Sequence, residues 1–225
     1  MALQIGMLLF PRLTQLDFTG PHEVLARIPG AQVHAVAKTR DPVVAETGLT
    51  LVPSKTFEEL PRVDVLFVPG GAGQIEASQD TATIDWLRSA SEQARWITST
   101  CTGALLLGVA GLLHGYRATT HWAFHDLLPI VGAIPVAERV VIDRNRITAG
   151  GITAGIDFGL VIAAEIAGRD VAESIQLELE YNPAPPFSAG HPSVARPELV
   201  EAARAKIATR HAQRAELLRR LTRPA

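Results

Sequence analysis

Residues 95–113 read RWITSTCTGALLLGVAGLL, a β-prone stretch that passes through the chain's one cysteine into a helix-forming stretch. The residue types predict a strand over Arg95–Ser99 and a helix from Thr102, which puts Cys101 on the turn between them, with Gly103 permitting a close approach. A nucleophile on a sharp strand-to-helix turn stands at the carboxyl end of a sheet, where open α/β folds hold their ligands. The helix N-terminus adds a positive dipole end and free amides, both of which favour a thiolate. A lone cysteine is more often a small buried hydrophobe. Its place at the strand–helix junction is what favours the nucleophile.

The same alternation extends outward from this segment. Leu3–Leu9, Gln32–Ala37 and Val63–Val68 are continuous apolar runs, with helices expected from Gly20 and Thr81. Strands buried on both faces read this way, so the pattern predicts an α/β fold: a doubly wound, mostly parallel, flavodoxin-like sheet flanked by helices. The stretch 41–53, DPVVAETGLTLVP, predicts a small hairpin turning around Glu46–Gly48. ERVVIDRNRITAGG, 138–151, predicts another, turning at Asp143–Asn145. Thr153 is expected to cap an almost wholly apolar helix lying deep against the sheet, and Arg169–Glu180 to continue as helix. Asn182–Pro192 is too rich in proline for regular structure, although Phe187 predicts that it lies on the body. Glu198–Thr222 reads as one amphipathic helix. The whole, 1–225, is read as one domain, with 182–225 packing on it.

Composition narrows the class of function. A chain of 225 residues that is 47% hydrophobic can bury one large core. The formal charge of −2, from 21 basic and 23 acidic residues, gives no reason to expect nucleic acid or anionic lipid as partner. A small molecule is expected instead. One cysteine allows no internal disulfide, which points to a reducing compartment, the cytoplasm. Met1–Phe10 lacks the features of a signal peptide. The longest apolar segment, Ile152–Ala167, is interrupted by Asp157 and Glu165 and falls short of the roughly 20 residues needed to cross a bilayer.

Three further elements carry candidate chemistry. PGGAG, 69–73, follows the strand VDVLFV, and its Gly71 N–H together with the Thr102 N–H is a candidate for stabilising charge on an intermediate. An ordinary βα turn needs such glycines too. Asp17 lies between Leu16 and Phe18, where apolar company raises a carboxyl pKa and fits it to exchange protons. It also suits a turn or a helix cap. The fold rather than the sequence brings it to Cys101, because the first strand of such a sheet is central and its loop opens at the switch point. His121 is a candidate base or a half-buried polar residue. His125 stands four residues on without a third ligand, and no metal is expected.

Four blocks in order, DFTGPHEVL (17–25), DVLFVPGGAG (64–73), STCTGALLLGVAGLL (99–113) with ATTHW (118–122), and AGGITAGIDFGL (149–160), resemble the ThiJ/PfpI superfamily. The resemblance spans residues 1 to about 180. Within the superfamily, Thr102 stands where peptidase-like and chaperone-like members carry histidine. Asp17 stands where glyoxalase-like members carry glutamate. Aspartate there, Cys-Thr-Gly at the elbow and NPAPPFSAG (182–190) resemble the isonitrile hydratases. Transcriptional regulators sharing these blocks append a helix-turn-helix module, for which the one helix after Pro197 is too little.

The resemblance implies that Cys101 is the nucleophile, Asp17 the proton-handling acid, and Thr102 a hydrogen-bonding neighbour, with Gly150, Ile152 and His121 lining the pocket. The implied reaction is hydration of an isonitrile to an N-substituted formamide through a thioimidate on Cys101, without a cofactor, in a homodimer. A glyoxalase-type enzyme, a cysteine redox or stress sensor, and a non-catalytic ligand-sensing protein remain as alternatives.

Overall fold

A computed structural model describes residues 2–222. The first half of the chain runs β1 (Leu3–Leu8), α1 (Gln15–Leu25), β2 (Ala31–Ala37), β3 (Val43–Val44), β4 (Thr50–Leu51), β5 (Lys55–Thr56), β6 (Val65–Val68), α2 (Gln74–Ala77) and α3 (Thr81–Ser91). It continues β7 (Trp96–Thr100), α4 (Gly103–Val109), β8 (Arg117–Ala118), a 3-10 segment (Trp122–Val131), β9 (Ile134–Pro135), β10 (Val140–Asp143) and β11 (Arg146–Ala149). Three helices close it: α5 (Ala154–Ala167), α6 (Arg169–Glu178) and α7 (Pro197–Leu221).

Seven strands form one sheet in the order β10-β11-β7-β6-β1-β2-β5, parallel except for the β10–β11 hairpin at one edge. The chain leaves central β1 for β2 and β5, then returns to β6 on the other side of β1. That reversal opens a crevice at the carboxyl ends of β1 and β6, the place where such sheets hold ligands. Central strands carry no polar alternation because both faces are covered: β6 is buried at every position. Both expected hairpins form, β3–β4 antiparallel around Glu46–Gly48 and β10–β11 around Arg144.

Several boundaries differ from the sequence expectation, each for a physical reason. The first helix begins at Gln15, not Gly20, so Gly20 and Pro21 lie inside α1 and Asp17 lies in its first turn. Proline inside a helix leaves the carbonyl four residues earlier without its amide partner. Here that carbonyl belongs to Asp17, and the Thr100 hydroxyl donates to it at 3.2 Å. Thr153 occupies the N-cap position of α5 but makes no side-chain cap bond. Gly155 and Gly159 let α5 approach α1, since a Cβ on either would press on Pro21 or Val24. α6 ends two residues before Glu180, which turns into the left-handed region at φ 49°.

The proline-rich segment departs furthest from expectation. Phe187 is 81% exposed, so 182–192 does not bury its aromatic anchor on the body of its own chain. α7 does pack on that body, burying Arg214, Ala215, Leu217 and Leu218 and bonding Thr222 Oγ1 to the Ile130 carbonyl at 3.0 Å.

Candidate active site

β7 delivers Cys101 to the carboxyl edge of the sheet, and α4 leaves from it one residue later. The turn forces Cys101 to φ 51°, a left-handed conformation that a side chain adopts at a cost. Both of its backbone groups are held there. The Cys101 N–H donates to the carbonyls of Ala149 and Gly150 at 3.1 and 2.7 Å. Its own carbonyl accepts the Thr120 hydroxyl at 2.6 Å. The side chain, 6% exposed, is left as the free element of the elbow.

The PGGAG turn closes on the elbow from β6. A Cβ on Gly70 would stand 2.6 Å from the Thr102 nitrogen and 2.8 Å from Cys101 Cβ, so only glycine fits. Gly103 is as constrained, because a Cβ there would overlap the Val68 carbonyl. The Gly71 N–H, expected to face a developing charge, instead donates to Thr102 Oγ1 at 3.1 Å. Thr102 has spent that donor. The amides directed at the reacting groups are those of Gly70, towards Asp17, and Thr102, towards the Cys101 sulfur.

α1 brings Asp17 beside the thiol with no exposed surface. Neither carboxyl oxygen makes a hydrogen bond of good geometry among the described residues. Burial therefore dominates and raises its pKa from 3.8 to about 7, although the nearby Cys101 thiol and Gly70 amide partly offset the effect and Glu46 adds to it. Cys101 itself is pushed well above the ordinary cysteine range, first by burial and then by the Asp17 charge, against the pull of the Thr102 amide and Arg214. The thiolate expected at the helix N-terminus is thus not the resting state: desolvation outweighs the dipole.

His121 caps the 3-10 segment, its Nδ1 accepting the Ala123 N–H at 3.2 Å. Burial and the Arg214 charge lower its pKa to about 4, so it is neutral, with that ring nitrogen occupied. Its ring edge lies against Gly151. Gly150 is buried beside Cys101, whereas Ile152, two residues on, is 37% exposed. Two cavities, of about 900 Å³ between α2 and α7 and about 420 Å³ beyond the ends of β1 and β2, are lined by neither Cys101 nor Asp17.

Thr100, Thr120, Gly70 and Arg214 hold this site and were not singled out by sequence reasoning. Pro21, four residues after Asp17, was the available signal for Thr100. Arg214 gave none, since an arginine on an Arg-rich amphipathic helix reads as solvated.

The sequence matches the DJ-1/PfpI family over residues 4–165. It is 56% identical to an isonitrile hydratase from Pseudomonas putida over 98% of this chain and 96% of that one. A ThiJ/PfpI family protein from Pseudomonas syringae superposes with a TM-score of 0.95 at 43% identity, covering 97% of this chain and 91% of its own. Drosophila melanogaster DJ-1beta, 23% identical, shares the fold with a TM-score of 0.71 over 80% of this chain and 98% of its own.

Proposed function

The chain belongs to the DJ-1/PfpI family, and from that premise we propose that it hydrates isonitriles to N-substituted formamides on Cys101. One observation carries the reading: a wholly buried carboxyl with no well-formed hydrogen bond, Asp17, beside the only thiol of the chain. The near-full-length likeness to an isonitrile hydratase names the substrate class. An isonitrile is uncharged, and its terminal carbon accepts a nucleophile and a proton in turn, which suits a closed apolar site holding one acid–base pair.

The sulfur bonds to the isonitrile carbon as the thiol proton passes to Asp17, and Asp17 returns that proton to the same carbon, giving Cys101–S–CH=N–R. Water then adds across the C=N bond, its hydroxyl to carbon and its proton to nitrogen. Collapse of the adduct breaks the C–S bond, returns a proton to the sulfur and releases HC(=O)–NH–R. No electrons are exchanged with a cofactor. The Thr102 amide favours charge on the sulfur, and the Gly70 amide favours charge on Asp17. Gly150, Ile152 and His121 are assigned to the substituent side of the pocket. The raised thiol pKa weighs against a redox sensor, which needs an accessible, low-pKa cysteine. The protein is further proposed to act as a cytoplasmic homodimer; among the described residues no helix is long and apolar enough to cross a membrane.

The test is turnover of an aryl isonitrile by wild type and Cys101→Ala, with formamide followed by mass spectrometry and methylglyoxal as a parallel substrate. Formamide from wild type alone is expected. Lactate from methylglyoxal in place of formamide overturns the reading in favour of the glyoxalase reaction.

A further inference from the structure

Arg214 lies near the end of α7, far beyond the residue where the family match ends. It is nevertheless among the largest fully buried side chains, 2% exposed. Its Nε donates to Gln74 Oε1 at 2.9 Å and its Nη2 to the Gly71 carbonyl at 2.6 Å, while the guanidinium lies 4.3 Å from the centre of the Phe124 ring. Gln74 is itself wholly buried and bonds Ser78. Among the described residues no carboxylate hydrogen-bonds the guanidinium, so the direct partners of this buried cation are neutral acceptors and an aromatic face. Such an arrangement is costly for a fold to keep.

The Gly71 peptide shows where the arrangement leads. Arg214 donates to the Gly71 carbonyl, the Gly71 N–H donates to Thr102 Oγ1 at 3.1 Å, and the Thr102 hydroxyl donates back to the same carbonyl at 3.4 Å. Thr102 adjoins Cys101, and its amide nitrogen packs against Gly70. The guanidinium, the Gly71 peptide and the Thr102 hydroxyl therefore form one continuous link from α7 to the elbow.

We infer that Arg214 is a positioning residue for the Cys101 site: it fixes the PGGAG turn against the elbow through the backbone of Gly71, and it sets a buried positive charge on the turn that packs against Cys101. The inference rests on Cys101 being the nucleophile. The charged groups that act on the thiol are Asp17 from α1 and Arg214 from α7, with Glu46 acting on Asp17 from the β3–β4 turn. Arg214 in turn faces Arg210 one helical turn earlier, with Glu46 and Glu76 near it, and its pKa, lowered by burial to about 10, leaves it charged at neutral pH. His121 beside it is neutral.

Because Cys101 is the only cysteine, its alkylation by iodoacetamide reads the thiolate directly, whatever the substrate. In Arg214→Gln the second-order rate at about pH 8 is expected to fall about tenfold, with the pH profile displaced upward by about one unit. Arg214→Lys keeps the charge and loses the two-point grip. Its alkylation profile is expected to stay near that of wild type, while kcat for an aryl isonitrile falls about tenfold and KM changes less than about twofold, the pattern of a lost transition-state interaction. A folded Arg214→Gln with the wild-type alkylation profile overturns the inference. Should that variant not fold, Arg214→Lys decides, and a wild-type kcat there overturns it. A wild type that alkylates as described but makes no formamide counts against the hydratase reading and leaves the Arg214 result standing.

Discussion

Just above neutral pH the site pairs an Asp17 that has lost its proton with a thiol that keeps one, because burial raises both and raises Cys101 further. In the proposed mechanism that protonation state is the competent one, because the carboxylate is to take the thiol proton and hand it to the isonitrile carbon. Below about 7 Asp17 is itself protonated and no base remains, so kcat/KM is expected to rise with pH through about 7, and a profile flat from about pH 5 to 9 contradicts the role given to Asp17. The same shift governs stability. A carboxyl raised from 3.8 to about 7 contributes fully to stability below the unfolded value and loses that contribution as pH rises through about 7, a difference of up to roughly 4 kcal/mol. Asp17→Asn never acquires the charge, so its melting temperature is expected to exceed that of wild type at about pH 8 and to match it near pH 4. Its Cys101 is expected to alkylate faster, because the charge that raises the thiol pKa is gone, while formamide production is lost. Asp17 and Cys101 were legible as chemistry in the sequence because an acid among apolar residues and a cysteine at a strand–helix junction are local patterns. The sign of the Cys101 shift was not, since it depends on how completely residues distant in sequence exclude water.

The elbow works only because two βα units are pressed together more closely than side chains allow. A Cβ on Gly103 would overlap the Val68 carbonyl and stand 2.8 Å from that of Pro69, both backbone atoms that cannot rotate away. Gly103→Ala is expected to cost about 1–3 kcal/mol of stability, as overpacking does, and to remove activity with it. Gly190 has open space around it, so Gly190→Ala is the control, with a denaturation midpoint close to that of wild type. Equal midpoints for the two variants would mean that the turns are not interlocked as described. At this scale the sequence announced the elements well. Apolar runs marked the central strands, and Gly103 marked the close approach. The start of α1 was misplaced because Pro21 reads as a helix beginning, and only the tertiary partner Thr100 makes a proline tolerable in the seventh position of that helix. Gly71 was misassigned for a related reason: which amide is free depends on where the Thr102 hydroxyl points, and no local pattern encodes that.

Across the whole molecule the sheet and its crossovers followed from alternation alone, whereas the last fifth of the chain did not declare its role. α7 read as an amphipathic helix packing on the body, and it does dock through Ala215, Leu217 and Leu218, but nothing in its pattern showed that it also delivers Arg214 to the PGGAG turn. The bridge leading to it behaves in the opposite way. Phe187 and Val194 are 81% and 63% exposed, and Leu177 and Leu199 on the flanking helices are 82% and 45% exposed. Apolar residues gathered in this way on one stretch of chain are the material of association surfaces. Light scattering at micromolar concentration is accordingly expected to give twice the 24.1 kDa of the chain, and a mass of one chain would end the homodimer proposal. Phe187→Ser separates the chain's own fold from its association. Among the described residues this ring is largely uncovered, so within one chain the substitution is expected to change stability by less than about 0.5 kcal/mol. A larger loss that depends on protein concentration would place Phe187 in the contact between copies, whereas a large loss independent of concentration would mean that the segment packs on its own body after all.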